Sequence, residues 1–348
     1  NHMKEINAKD PENMAGYIES LPKDLAIAWQ QGLEKPLPEF GDIKKILISG
    51  MGGSAIGGDL FASYLSTFAP TPIISRRNYG LPAWAEGPDT LVVCSSHSGN
   101  TEETLSSFQA AKARGCSLLA ISTGGALQRE ALASGVTHWY FNHTGQPRTA
   151  IGWSFGLLLA LATRLGFIHN QQKDIDKAVA VMAQQYKQLE PSVPLVENPA
   201  KRLAGQLLGR NIAIFAAGEV EVIARRWKTQ INELAKAWAS FEGIPEMNHN
   251  TLAGLLYPES LFEKTSSVFL RAAMDHPRNQ KRIDLSKRFF LQAGVAVDEV
   301  WAKGESSLAQ MWSLLQFGDY VSYYLALDYG VDPTPVEILE ELKRELSG

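Results

Sequence analysis

The chain has 348 residues, enough for two domains, and 45% of them are hydrophobic, enough for a sizeable core. Its formal net charge of −4 comes from 33 Lys and Arg against 37 Asp and Glu. These charges are scattered, without the basic stripe that nucleic acid requires, so no nucleic-acid partner is expected. No apolar run is long enough to cross a bilayer and no secretory signal is recognisable, so no membrane partner and a cytoplasmic location are expected.

Taken in order, Asn1-His2-Met3 reads as a tag remnant with the natural start at Met3. Together with a helical segment over 11–33, ending near Gly32 ahead of Pro36 and Pro38, it is expected to make up residues 1–40. A first domain is expected over 41–195. Strands are predicted over 44–49, 71–75, 91–94, 117–122 and 137–141. Helices are predicted from the glycine-rich stretch Gly50–Gly58 to about Tyr64, then over 101–114, 126–134, 152–165 and 171–190. Pro191, Pro194 and Pro199 form a joint. A second domain over 196–348 repeats the plan: strands at 211–217, 266–272 and 296–302, helices at 219–238, 279–293 and 306–327, and a last amphipathic helix over 336–346. Strands alternating with helices, twice in one order, predict two doubly wound parallel-sheet domains of flavodoxin-like type, related by internal duplication. Cys94 and Cys116 are expected on buried strands as small core hydrophobes. No His/Cys cluster has metal-ligand spacing, so the chemistry should be metal-free; no cofactor is expected.

Three stretches carry chemistry. In Leu91–Thr104 an apolar strand runs into Ser95-Ser96-His97-Ser98-Gly99-Asn100, and Thr101 is placed to cap the next helix. Hydroxyls and backbone N–H groups then gather at the positive end of a helix dipole, where Ser96, Ser98 and Thr101 can point at one phosphate; the same residues would also serve a well-capped turn with no ligand. Gly50-x-Gly52-x-x-Ala55 matches a dinucleotide fingerprint. The second strand, however, ends in Arg76 and Arg77, which would suit NADP at best. The density of small residues at Gly52, Gly53 and Ser54 suits close approach of a sugar or phosphate, or simply tight helix–strand packing. In the second half, helix 219–238 shows an apolar stripe of Val220, Ile223, Trp227, Ile231, Leu234 and Trp238. Glu233 lies off that stripe, either as an ordinary surface partner of Lys236 or as a working carboxylate. His249, between Asn248 and Asn250, is either a solvated turn residue or a proton shuttle.

Gly52-Gly53-Ser54, Ser96-His97-Ser98-Gly99-Asn100-Thr101, Pro147-Arg148, Asn232-Glu233 and Asn248-His249-Asn250 together resemble the bifunctional phosphoglucose/phosphomannose isomerases, which carry two sugar-isomerase (SIS) domains per chain. The resemblance covers nearly the whole chain; one departure is His97, where relatives often carry Tyr, expected to face away from the phosphate hydroxyls with little effect. It implies a metal-independent aldose–ketose isomerase of glucose 6-phosphate, fructose 6-phosphate and mannose 6-phosphate, acting as a homodimer. It implies that Ser54, Ser96, Ser98 and Thr101 hold the 6-phosphate, that Glu233 moves the proton between C1 and C2, and that Arg148 stabilises the cis-enediolate. It further implies that His249, from its own or the partner subunit, assists ring opening, and that a C-terminal Lys, best matched by Lys343, completes the site. A non-catalytic SIS sugar-phosphate-binding module and an NADP-dependent oxidoreductase are the competing readings.

Overall fold

The computed structural model describes Ile6 and residues 8–346; Asn1-His2-Met3 lies outside them. The chain divides into two compact units, one of Ser20–Ala180 and one of the described residues on either side of it.

Helix α1 (Met14–Glu34) comes first. Five strands follow: β1 (Lys45–Ser49), β2 (Ile73–Arg76), β3 (Thr90–Ser95), β4 (Ser117–Ser122) and β5 (His138–Tyr140). Helices α2 (Gly52–Leu65), α3 (Glu102–Ala113), α4 (Gly125–Ala133) and α5 (Ile151–Arg164) alternate with them. All pairings are parallel, in the order β2-β1-β3-β4-β5. A parallel sheet is covered on both faces, so its central strands are near-continuous apolar runs; Ile46, Leu47 and Ile48 on β1 and Leu91 to Cys94 on β3 are all buried. Phe108 and Ala111 of α3 and Leu127 and Ala131 of α4 pack on Leu47, Val92 and Ala120; full burial of one such large side chain contributes roughly 1.5–3 kcal/mol. The strand order reverses between β1 and β3. At such a switch point the loops leaving the carboxyl ends of the two strands diverge and leave a crevice, the usual ligand site of an open α/β sheet.

Helix α6 (Gln172–Leu189) carries the chain out of this unit. The other unit contains α7 (Pro199–Leu207), β6 (Asn211–Ala217), α8 (Glu221–Ala235), β7 (Ala239–Ile244), β8 (Thr265–Arg271), α9 (Pro277–Gln292), β9 (Ala296–Trp301), α10 (Ser307–Tyr329) and α11 (Glu337–Leu346). Its sheet is parallel in the order β7-β6-β8-β9, which repeats β2-β1-β3-β4 strand for strand. The duplication expected from the sequence is therefore present in the fold. Phe215, Phe269 and Phe290 form an aromatic cluster in its core, with Phe215 and Phe269 stacked at 5.0 Å between centroids. On the side of α8, the buried Arg226 forks onto the buried Asp319 of α10, Nε–Oδ1 3.1 Å and Nη2–Oδ2 2.8 Å.

Several local expectations change. Helix α8 stops at Ala235 because Lys236 turns left-handed at φ 54°. Trp238 therefore leaves the apolar stripe and is 79% exposed, while Val220, Ile223, Trp227, Ile231 and Leu234 are fully buried. The segment after it, Ala239–Ile244, is a strand that pairs with β6 and has no counterpart in the sequence reading. Its Gly243 and mixed polarity hide it, and pairing with a buried strand overrides propensity. The Pro199 joint opens helix α7, with Pro at the first turn and Asn198 capping the N–H groups of Ala200 and Lys201. Cys94 is buried on β3 as expected, whereas Cys116 sits half-buried in the turn before β4.

Candidate functional site

The loop after β3 is held in one shape by its own hydroxyls and by its neighbours. Thr101 is the N-cap of α3, with extended backbone, but its side chain makes no capping hydrogen bond. Its Oγ1 lies 2.9 Å from Ser96 Oγ instead, and Ser96 Oγ also accepts the Gly99 N–H at 3.0 Å. Ser98 Oγ accepts the Asn100 N–H at 3.2 Å. Gly99 turns at φ +69°, and a Cβ there would fall 1.9 Å from Gly124 O, so this position takes only glycine. From outside, Thr123 donates to His97 O through both its N–H and its hydroxyl, at 3.0 and 2.7 Å. The N–H groups of Leu127 and Ala126 at the start of α4 are taken up by Gly99 O and Asn100 Oδ1. With Thr101 turned to Ser96, the first-turn N–H groups of α3 have no side-chain cap, and the positive end of the helix dipole is available to an anion.

The loop after β1 meets this one. Ser54, in the first turn of α2 and 5% exposed, accepts the His97 N–H on Oγ at 3.2 Å. Helix α2 likewise starts without a side-chain cap, so two uncapped helix starts flank one contact at the switch point. Gly53 sets the third partner in place. A Cβ on it would come within 2.4 Å of Pro147 O and 3.2 Å of Arg148 Cα, because the 3₁₀ turn Pro147–Thr149 lies directly against α2. Arg148 is buried there, 4% exposed. Gly52, Gly53, Ser54, Ser96, Ser98, Thr101 and Arg148 are thus gathered at one edge of the first sheet.

The His97 ring goes elsewhere. Its Nε2 lies 2.9 Å from His143 Nδ1, and His143 Nε2 lies 3.2 Å from Thr149 Oγ1, one residue beyond Arg148. Burial pushes the His97 imidazole below its ordinary value, and burial first, then the neighbouring His97, push His143 down to about 4. Arg76 donates to the carbonyls of Tyr79 and Gly80, and Arg77 pairs with Asp59 through both terminal nitrogens. The two arginines that would have suited a 2′-phosphate are therefore occupied in local contacts.

In the other unit the corresponding strand ends carry acids in place of hydroxyls. Gly218-Glu219 follows β6, and the buried Asp275 follows β8, its Oδ2 accepting the Ala272 N–H at 3.0 Å. Burial is the main reason that Asp275 is pushed up to about 6. Such an edge repels phosphate, so of the two sheets it is the first that offers an anion site at this position. Glu233 is half-buried in the last turn of α8. Asn232 fixes that helix end through Nδ2 to Ala237 O at 2.8 Å, and the Lys236 ammonium donates to Leu234 O and Asp332 O. His249 ends the 3₁₀ turn Glu246–His249 and is exposed. Its two asparagine neighbours anchor the loop: Asn248 Nδ2 to Ser286 Oγ at 2.8 Å, Asn250 Nδ2 to Glu246 Oε1 at 3.0 Å. Lys343 lies on α11, which buries none of its described residues, and pairs with Glu340 at 2.6 Å. Among the described residues no group of three or more His, Cys, Asp or Glu could hold a metal, and no helix is long and apolar enough to cross a membrane.

The sequence reading did not find His143, Thr149 or Thr123. His143 stands alone in an irregular polar stretch, and its partner is 46 residues away. Only the strand order, which carries the β3 and β5 ends to one edge of the sheet, makes the pairing visible.

Residues 196–346 match the family model described as the bacterial phospho-glucose isomerase C-terminal SIS domain. A bifunctional phosphoglucose/phosphomannose isomerase of Caldicellulosiruptor bescii is 40% identical over 95% of this chain and 98% of its own. One of Aquifex aeolicus is 34% identical over 87% and 90%. Among solved structures, a glucose-6-phosphate isomerase like protein from Thermus thermophilus superposes with TM-score 0.63 at 21% identity, covering 96% of this chain and 97% of that one. The C-terminal domain of glucosamine-fructose-6-phosphate aminotransferase from Francisella tularensis does so with TM-score 0.66 at 16% identity over 92% and 98%.

Proposed function

The chain belongs to the bifunctional phosphoglucose/phosphomannose isomerase family, and on that premise we propose that it is a metal-independent aldose–ketose isomerase. It interconverts glucose 6-phosphate and fructose 6-phosphate, and mannose 6-phosphate by the same route. The observation that carries this reading is the contact between Ser54 and the His97 N–H, which joins two uncapped helix starts into one anion site at the switch point.

The 6-phosphate sits against the hydroxyls of Ser54, Ser96, Ser98 and Thr101 and the first-turn N–H groups of α3, which have no side-chain cap. Glu233 takes the proton from C2 of the open-chain aldose and returns it to C1 on the same face of the cis-enediolate, while a proton passes from O2 to O1, and the reverse for the ketose. Arg148 meets the developing enediolate oxygen, where a fixed donor is worth several kcal/mol, about 3–4 by analogy with one oxyanion-hole donor. Its burial supports this role, since a guanidinium already desolvated reorganises little when the charge develops. His249 carries the proton for ring opening. Its exposure on a loop anchored from both sides suits a group that works across the interface of a homodimer. A C-terminal lysine completes the site, and Lys343 is the best match to it. Mannose 6-phosphate differs from glucose 6-phosphate only at C2, so it enters the same intermediate.

A coupled assay on glucose 6-phosphate and mannose 6-phosphate in excess EDTA tests the proposal. Turnover of either aldose is expected. Binding of fructose 6-phosphate with no product after long incubation would instead identify a non-catalytic sugar-phosphate module. A thermal shift with NADP but none with fructose 6-phosphate would identify an oxidoreductase.

A further inference from the structure

Thr149 Oγ1 donates its one proton to Gln146 O at 2.8 Å. With that proton assigned to the nearer acceptor, Thr149 Oγ1 accepts from His143 Nε2, 3.2 Å away, and the tautomer that follows from this assignment has the His143 proton on Nε2 and Nδ1 as an acceptor. His97 Nε2, 2.9 Å from that Nδ1, is then the donor. The whole chain has one direction: His97 Nε2–H to His143 Nδ1, His143 Nε2–H to Thr149 Oγ1, Thr149 Oγ1–H to Gln146 O. At its start His97 is the residue whose N–H holds Ser54, and whose carbonyl holds Thr123. At its end Thr149 is in the same turn as Arg148. Phe141 packs edge-on against the His97 ring at 5.9 Å and shields the pair. Arg148 is the charged side chain on the turn that the chain reaches.

We infer that His97 and His143 are positioning residues: as a directional hydrogen-bond chain they hold the serine loop after β3 in register with the turn that carries Arg148. This rests on the sugar-phosphate reading of that loop. The physical reason is geometric. The serine loop leaves β3 in the middle of the sheet, whereas the Arg148 turn follows the short edge strand β5, with β4 between them. The glycine contact of Gly53 sets how closely the turn approaches α2; the histidine chain sets its orientation relative to the phosphate hydroxyls. If a bound 6-phosphate is to place C1 and C2 beside the guanidinium, that offset has to be fixed before the substrate arrives. A Tyr in place of His97 has a phenol that can donate to His143 as well, but from a longer arm, so the register would be reset.

The test is a mutant cycle with two ligands. Variants His97→Leu, His143→Leu, the double variant and His97→Gln are compared with wild type. Binding of inorganic phosphate is measured by calorimetry, and kcat and KM are measured on fructose 6-phosphate. Each Leu variant is expected to lose about three- to tenfold in phosphate affinity, the value of one buried hydrogen bond. It should lose more in kcat/KM, because Arg148 is displaced as well. The double variant should be no worse than either single one, since breaking one link breaks the chain. His97→Gln keeps an amide donor near the Nε2 position and should recover most of the loss. Additive single losses, an unrecovered His97→Gln with intact melting temperature, or a change in melting temperature alone, would each overturn the inference. Should a Leu variant fail to fold, the contrast between His97→Gln and wild type in the kcat-against-KM split decides. If wild type binds phosphate but turns over no sugar phosphate, the isomerase reading fails by itself, and the phosphate arm of the cycle still decides the register claim.

Discussion

The Ser54 hydroxyl on α2 accepts the backbone N–H of His97 at 3.2 Å. This one bond fixes the distance between the loops that leave β1 and β3, which carry the hydroxyls assigned to the 6-phosphate. Ser54→Ala removes a hydroxyl proposed to donate to the phosphate and leaves the His97 N–H without its acceptor. A hydrogen bond to a charged group is worth about 1.5–3 kcal/mol, so KM for fructose 6-phosphate and the inhibition constant of inorganic phosphate should both rise roughly 10- to 100-fold. Unchanged phosphate inhibition would place the anion elsewhere.

Gly53→Ala tests the approach of the Arg148 turn. The added methyl would stand 2.4 Å from Pro147 O, so backbone must move. Overpacking of this kind costs about 1–3 kcal/mol of stability, and kcat should fall further than the melting temperature implies, because Arg148 moves with Pro147. A variant with normal kcat and normal stability would show that the contact is slack.

The acid limb of stability should carry the His97–His143 pair. Burial, with His97 next, pushes His143 down to about 4 from an ordinary value of 6.5. Between those values the unfolded chain binds a proton that the folded chain does not, so stability rises with pH across the window. The contribution is therefore complete above about 6.5 and is lost as the pH falls toward about 4. His143→Phe, unable to protonate, should lose less stability than wild type between pH 7 and pH 5 in urea unfolding. Equal losses would mean that His143 is not held neutral by the fold.

The Arg226–Asp319 pair of α8 and α10 is buried on both sides, at 1% and 3% exposure. Burial raises the Asp319 carboxyl, and the guanidinium of Arg226 opposes that. Arg226→Met leaves a buried charge without its fork and should cost about 3–5 kcal/mol, read as a lowered urea midpoint; the double variant Arg226→Met/Asp319→Leu should recover much of it. A single variant as stable as wild type would contradict the buried-pair reading.

Where one physical rule dominated, the fold was legible in the sequence. Leu91–Cys94 and Asn211–Ala217 read as buried strands because continuous β-branched and apolar residues have few other uses, and the repeated strand–glycine–helix order announced the duplication. Strand Ala239–Ile244 did not, because Ser240, Glu242 and Gly243 contradict its state, and pairing with β6 and burial of Ala239 and Ile244 hold it. Within the site, the hydroxyls of Ser96, Ser98 and Thr101 were visible as a local cluster. The convergence of the Gly52–Ser54 and Ser96–Thr101 loops was legible too, since each follows a strand of one parallel sheet, but the particular contacts of Ser54 with His97 and of Gly53 with Arg148 were not, because each joins segments far apart in sequence.

The most direct test of the mechanism is the turnover of Glu233→Gln on fructose 6-phosphate, measured beside its binding of inorganic phosphate. Loss of a positioned acid–base group typically costs about 10²–10⁴-fold, and the phosphate loops belong to other strands. The expected result is a fall in kcat of that size with phosphate affinity within about twofold of wild type, since no hydrogen bond to the anion is removed. A kcat within about threefold of wild type, far inside the range for a lost base, would show that Glu233 only supports the end of α8 and that another group moves the proton.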